Sequence, residues 1–147
     1  MTTDLDTLRI EDLIPHKGRM CLWQQVRAFD AAHIALETRT HQDADNPLRS
    51  SGELRAIHLC EYGAQAMAVH GGLRAQSGEA ARKGFLVALR GVEIHVPRLD
   101  ILPEALHCEA QLLMEGEASQ QYLFRLTHAG MCIAEGRAAV MLAPTGE

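Results

Sequence analysis

Hydrophobic and polar positions along the chain fall into stretches of period two with one helical stretch among them. Residues 33–41 put Ile34, Leu36, Thr38 and Thr40 on one face, and His33, Ala35, Glu37, Arg39 and His41 on the other. Such alternation indicates a half-buried strand. The run before it, 20–29, is strand-like but weakly patterned, and residues 7–13 suit one or two helical turns before Pro15. A polar loop follows over 41–52, with Asn46-Pro47 inside it. The pattern then predicts one long helix over 53–70. Ile57, Cys60, Ala64, Met67 and Ala68 share one side of it at helical spacing. Ser50 and Glu53 have the spacing of a capping box, and Gly71-Gly72 the chemistry of a helix stop. Such a helix is about 27 Å long at ~1.5 Å per residue. Its middle is rich in Ala and Gly, so a cover can lie close against it.

Beyond a loop over 76–83, the chain reads as strand. Phe85, Val87 and Leu89 alternate, as do Val92, Ile94 and Val96, with a slip of phase at Arg90-Gly91 of the kind a β-bulge produces. Leu106, Cys108, Ala110, Leu112 and Met114 form the next alternating set. Tyr122, Phe124 and Leu126 form another, and Cys132, Ala134, Ala138 and Val140 the last. Short turns at 115–119 and at Ala129-Gly130 make the last three strands a meander. The order is β-β-α-β-β-β-β, an α+β chain with an antiparallel sheet packed on one helix. A curved sheet wrapped around one long helix is the hot-dog arrangement, expected here as a single domain over 1–147.

Composition adds exclusions. The 147 residues suit one domain with a sizeable core. With aromatics at 4%, that core must be built from Leu, Val, Ile, Ala and Met. A formal charge of −5 speaks against a nucleic-acid binder, which needs a dominant basic face. Cys21, Cys60, Cys108 and Cys132 are widely spaced and form no Cys-x-x-Cys, so they read as small hydrophobes rather than a disulfide framework. No apolar run reaches the ~18 residues of a membrane span, and the acidic start is unlike a signal peptide. The expectation is a cytoplasmic protein.

Candidate chemistry centres on Glu61. It lies four residues after Ile57 and three before Ala64, near the apolar side of the expected helix. Buried there, it would have a raised pKa and suit a general acid. The competing reading has it facing solvent or paired with an arginine. Gln65 follows one turn later on the same stripe, within reach of a hydrogen bond to it. The spacing also puts His58 and Glu61 on one helix face. No third or fourth ligand stands at a recognised spacing, so neither a metal nor another cofactor is called for. His70, beside Gly71, suits the helix C-terminal dipole. His33, His107 and His128 read as surface.

Several segments resemble one family. Glu61-Tyr-Gly-Ala-Gln65-Ala-Met is similar to the Glu-x-Met-Ala-Gln helix of the 3-hydroxyacyl-[acyl carrier protein] dehydratases. Leu13-Ile-Pro-His16-Lys-Gly-Arg-Met20 resembles their Leu-x-Pro-His opening, and Asp45-Asn46-Pro47-Leu48 their pre-helix loop. Gly84-Phe85-Leu86 followed by His95-Val96-Pro97-Arg98 resembles the predicted dehydratases of aryl-polyene-type gene clusters. The matches run from about residue 13 to the C-terminus. The resemblance implies dehydration of a 3-hydroxyacyl thioester, carried on acyl carrier protein or coenzyme A, to the trans-2-enoyl product in fatty-acid or polyene-type biosynthesis. It also implies a homodimer or a larger dimer-based assembly.

One departure stands out. Where the family carries a His-Phe-Pro-Gly whose histidine removes the α-proton, residues 49–53 read Arg-Ser-Ser-Gly-Glu. Glu61 remains the expected acid and His58 the first substitute base, with His16, His41 and Gln65 as substrate-binding candidates. The basic residues Arg49, Arg55, Arg74, Arg82 and Lys83 flank the helix ends, where an acidic carrier or a phosphopantetheine phosphate could meet them. Two other functions are compatible with the pattern: a hot-dog acyl thioesterase using Glu61, and a non-catalytic acyl-binding or partner protein.

Overall fold

The computed structural model describes residue 5 and residues 7–76 and 84–143. The expected loop after Gln76, with Arg82 and Lys83, lies outside the described residues. The order read from the sequence is the observed one: β1 (Gln25–Asp30), β2 (His33–Thr38), α1 (Leu59–Gln76), β3 (Gly84–Ile94), β4 (Leu106–Glu115), β5 (Ser119–His128) and β6 (Met131–Leu142). The strands form one antiparallel sheet in the order β1-β2-β4-β5-β6-β3. One face of it packs against α1, and this is the hot-dog arrangement.

Alternation sorts the side chains between the two faces. Ile34 and Leu36 of β2, Leu106, Cys108 and Ala110 of β4, Tyr122, Phe124 and Leu126 of β5, and Ala134 and Ala138 of β6 are all buried. Burial pushes the Cys108 thiol far above its ordinary pKa, so this cysteine is core and not nucleophile. The phase slip is real: the β3–β6 register shifts between Arg90 and Glu93, and Gly91 sits at φ 58°. Among the described residues no helix is long and apolar enough to cross a membrane.

Both expected helix ends need correcting. A 3-10 turn, Ala56–His58, leads into α1, which starts at Leu59 rather than Glu53. Ser50 and Glu53 do not form a capping box. Their backbones exchange N–H···O bonds of 2.9 and 3.0 Å across a tight turn, with Ser51 and Gly52 at φ 53° and 78°. Two successive positive φ values close a hairpin turn, which a helix start cannot accommodate. At the other end α1 continues through Gly71-Gly72. Gly72 is there for close approach: a Cβ would stand 2.5 Å from the carbonyl oxygen of Leu13. Gly63 serves the sheet in the same way, since its Cβ would meet the Phe124 ring at 2.8 Å.

Candidate active site

The site is built at the start of α1, and the chain fixes that start from outside. Leu54 N–H donates to Asp100 Oδ1 (2.9 Å), Leu99 N–H to Leu54 O (2.7 Å) and Ala56 N–H to Pro97 O (3.1 Å). Arg98 grips Asp100 and reaches Glu53 at 3.2 Å. Hydrogen bonding from Arg98 holds the Asp100 carboxyl well below the usual range. The segment after β3 thus clamps the approach to the helix.

Glu61 lies in the first turn of α1 and is exposed; His58, in the 3-10 turn before it, is partly exposed. Ile57 shows 60% of its surface to solvent. The expected buried stripe is therefore wrong for the first turn, and the solvent-facing reading of Glu61 is the observed one. The buried side of α1 is instead Leu59, Tyr62, Gly63, Gln65, Ala66, Met67, Val69, His70 and Leu73. It holds three polar side chains, each satisfied by distant segments, and hydropathy alone could not assign them to the interior.

Gln65 is the first of these. Its Oε1 accepts from Leu22 N–H (2.6 Å) and its Nε2 donates to Met20 O (2.8 Å). It does not bond Glu61; it fastens residues 20–22 along the helix. Tyr62, one residue after Glu61, is the second and was missed in the sequence. Its hydroxyl pairs with Thr40 Oγ1 (3.0 Å) and accepts from Asn46 Nδ2 (3.2 Å). Its carbonyl accepts from Trp23 Nε1 (2.7 Å), with the two rings edge to face. The first turn of α1 is thereby tied to the pre-helix loop and to the N-terminal segment. His70 is the third. It is buried mid-helix and complements no helix end: Nε2 donates to Asp30 O (2.9 Å) and Nδ1 accepts from Tyr122 Oη (2.7 Å).

The other histidine candidates are placed apart from Glu61's exposed position. His41 has no exposed surface, although alternation put it on the outer face. The strand ends at Thr38, and a 3-10 turn over Thr40–Gln42 carries the ring inward. Its Nε2 donates to Leu102 O (3.1 Å), Nδ1 is buried without a partner, and burial lowers its pKa. Through this bond His41 ties the pre-helix loop to the Leu102 carbonyl. His16 also buries an unpartnered Nδ1. Of the basic candidates, Arg49 bonds the carbonyls of Gly52 and His41. Arg74 forks onto Glu115 with two 2.9 Å bonds, pulling that carboxyl down to about 2. Both are structural. What the structure brings together at the open helix start is therefore Glu61 and His58.

The fold is shared with solved structures of low sequence identity. One is the dehydratase heterocomplex ApeI:P from Xenorhabdus doucetiae, at 22% identity and TM-score 0.79 over 92% of this chain and 91% of that one. Another is S. sahachiroi AziG, at 16% identity and TM-score 0.66 over 90% and 98%. A third is a hypothetical thioesterase with coenzyme A from Streptococcus pneumoniae TIGR4, at 12% identity and TM-score 0.59 over 84% and 88%. No curated protein sequence matches the chain. The model of the ApeP dehydratases matches residues 8–146, nearly the whole chain, and the chain belongs to this ApeP-like dehydratase family.

Proposed function

We propose that the chain takes part in dehydrating a 3-hydroxyacyl thioester to the trans-2-enoyl thioester, in fatty-acid or polyene-type biosynthesis. Glu61 protonates the departing hydroxyl, and His58 is the candidate base on this chain for the α-proton. The observation that carries this reading is the position of Glu61: a carboxylate in the first turn of the long helix, on a face its own sheet leaves uncovered. The backbone there favours an acyl carbonyl. Ala56 N–H is used by Pro97 O and His58 N–H by Arg55 O. The N–H of Ile57, between them, is left to a thioester oxygen, and the helix start favours negative charge developing there.

The exposure of Glu61 also means that a second chain must close the site, since acid–base chemistry of this kind needs water held back. Edge strand β3 is the surface for it. Phe85, Leu86 and Val87 are 49%, 44% and 56% exposed on a strand with an unpaired side. A homodimer across β3 supplies a second Glu61. The Xenorhabdus relative is a dehydratase heterocomplex, and a non-identical second chain in a complex of that kind would supply the base that residues 49–53 lack. Sedimentation of the chain alone and after co-expression with such a chain separates the two.

The catalytic test follows enoyl formation from 3-hydroxyacyl thioesters, with thiol release in parallel. Glu61→Gln keeps shape and fold and is expected to lower dehydration ~10²–10⁴-fold. Thiol release without enoyl product in the wild type would make the protein a thioesterase instead. Undiminished dehydration in Glu61→Gln would remove this mechanism.

A further inference from the structure

The clamp on the start of α1 has a far end, held in a different way from the near one. Residues 97–100 grip Leu54 and Ala56, and a turn closed by Leu102 N–H to Leu99 O (3.0 Å) carries the chain on to Pro103 and Glu104. There Glu104 N–H donates to Nε2 of His128 (3.0 Å), the last residue of β5. The carbonyls of the same stretch are held from the other side. Gln42 Nε2 donates to Leu102 O (3.2 Å) and Pro103 O (2.7 Å), and Arg39 donates to Pro103 O (3.3 Å). His41 shares Leu102 O through its own Nε2.

A ring nitrogen that accepts a backbone N–H carries no proton. His128 therefore holds Glu104 only as a neutral imidazole; protonated, its Nε2–H would face the amide hydrogen it now receives. His128 is partly exposed and can take a proton from water without unfolding. His41 cannot, because it has no exposed surface and its Nδ1, buried without a partner, offers the new proton no acceptor. The charged groups acting on His41 are His128 and Arg39, and Arg39 also reaches the Glu104 carboxylate at 3.9 Å. The strand partners of His128, Leu106 and Met131, bring no charge.

We infer that His128 is a positioning residue for the site at the start of α1. Its neutral ring fixes the 102–104 end of the clamp, and the clamp in turn fixes the aim of Ile57 N–H and Glu61. This rests on the dehydratase reading of that site and adds its regulation: acid loosens the helix start from a distance, independently of any titration of His58. The connection is short. From Glu104 it runs to Leu102, by hydrogen bond to Leu99 O, and by the 2.7 Å bond of Leu99 N–H to Leu54 O. A shift at Glu104 is therefore passed on to Leu54 rather than absorbed in a free loop.

The test is amide hydrogen exchange in the assembled protein, read residue by residue at about pH 8 and about pH 5.5, a range over which imidazoles titrate. Each rate is divided by that of an unstructured peptide at the same pH, and the amides of β4 supply the baseline. In the wild type, protection at Leu54, Ala56 and Leu99 should fall roughly tenfold in acid while β4 keeps its own. His128→Gln presents an amide oxygen to Glu104 at either pH and should keep the protection at both. His128→Ala has no acceptor and should lack it at both. Turnover at the higher pH is the second readout: His128→Ala should lower kcat roughly tenfold with KM within about twofold, and His128→Gln should restore it. Unchanged protection in acid, a fall shared equally by β4, or a His128→Gln protein that loosens like the wild type overturns the positioning role. So does full kcat in His128→Ala. If the wild type dehydrates no 3-hydroxyacyl thioester, the dehydratase reading fails by itself, and exchange still decides whether His128 holds the helix start.

Discussion

The two edges of the sheet are built on opposite principles. β1 is short, six residues, carries Arg27 and Asp30, and is bulged between Val26 and Ala28. Its end is also fastened from the interior, where His70 holds the Asp30 carbonyl. β3 is also bulged, between Leu86 and Ala88 and between Arg90 and Glu93, but it has eleven residues, and its first six, Gly84-Phe-Leu-Val-Ala-Leu89, carry no charge. Short, charged strands refuse further pairing, whereas long apolar stretches invite it. One edge ends the sheet, and the other is the edge across which we propose that a second chain continues it.

The largest expected effect is on β3. Val87→Lys puts a charge into the apolar edge and should weaken assembly by at least ~10²-fold, read by sedimentation, with catalysis lost alongside. Ala28→Lys on β1 should leave assembly unchanged. If both variants dissociate the protein, or neither does, the contrast between the edges is wrong.

Next in size is the internal fastening of β1. His70→Ala removes both ring hydrogen bonds, to Tyr122 Oη and Asp30 O, and empties a buried ring position, a loss of about 2–4 kcal/mol in denaturant unfolding. Hydrogen exchange should quicken in β1 and not in β3.

A smaller effect follows from pH. Burial lowers the His70 pKa, assisted by Arg74 and His33 and opposed by the Asp30 carbonyl bond and carboxylate. The unfolded chain therefore binds a proton more readily than the folded one. Stability from this group is complete above the ordinary histidine value near 6.5 and declines as pH falls below it. His41, also lowered by burial, adds in the same direction. Melting temperature should drop between pH 7.5 and 5.5, and drop less in His70→Ala. The smallest effect is expected for Arg27→Gln, at most ~1 kcal/mol, since its pair with Glu37 is solvent-exposed.

The sheet was largely legible in the sequence because four of its strands bury one face against the helix, which forces period two on Ile34-Leu36, Leu106–Ala110, Tyr122–Leu126 and Ala134–Ala138. The helix was legible in kind but not in extent. Ser50 and Glu53 look the same in a capping box as in a hairpin, and only the φ values of Ser51 and Gly52 tell them apart. Gly71-Gly72 reads as a stop because close approach to Leu13 is a long-range fact. The family was legible through the order of its segments, and the burial of the helix's polar residues was not. Tyr62, Gln65 and His70 are interior because Asn46, Leu22 and Tyr122 meet them, and no local pattern carries such a pairing. Ile57, apolar and exposed, shows the converse error.

The segment laid along α1 has a consequence for how the chain assembles. Its fastenings join residues far apart in sequence: Trp23 to Tyr62 across 39 positions, Leu22 to Gln65 across 43 and Met20 to Gln65 across 45. Closing such loops costs entropy before any contact rewards it. During synthesis this strap leaves the ribosome long before the helix it needs, and it must wait undocked. Trp23 is the only tryptophan in the chain, and its indole is part of that closure. The fluorescence of the native protein is therefore a built-in clock for the docking of the strap, readable in a stopped-flow refolding trace without any label.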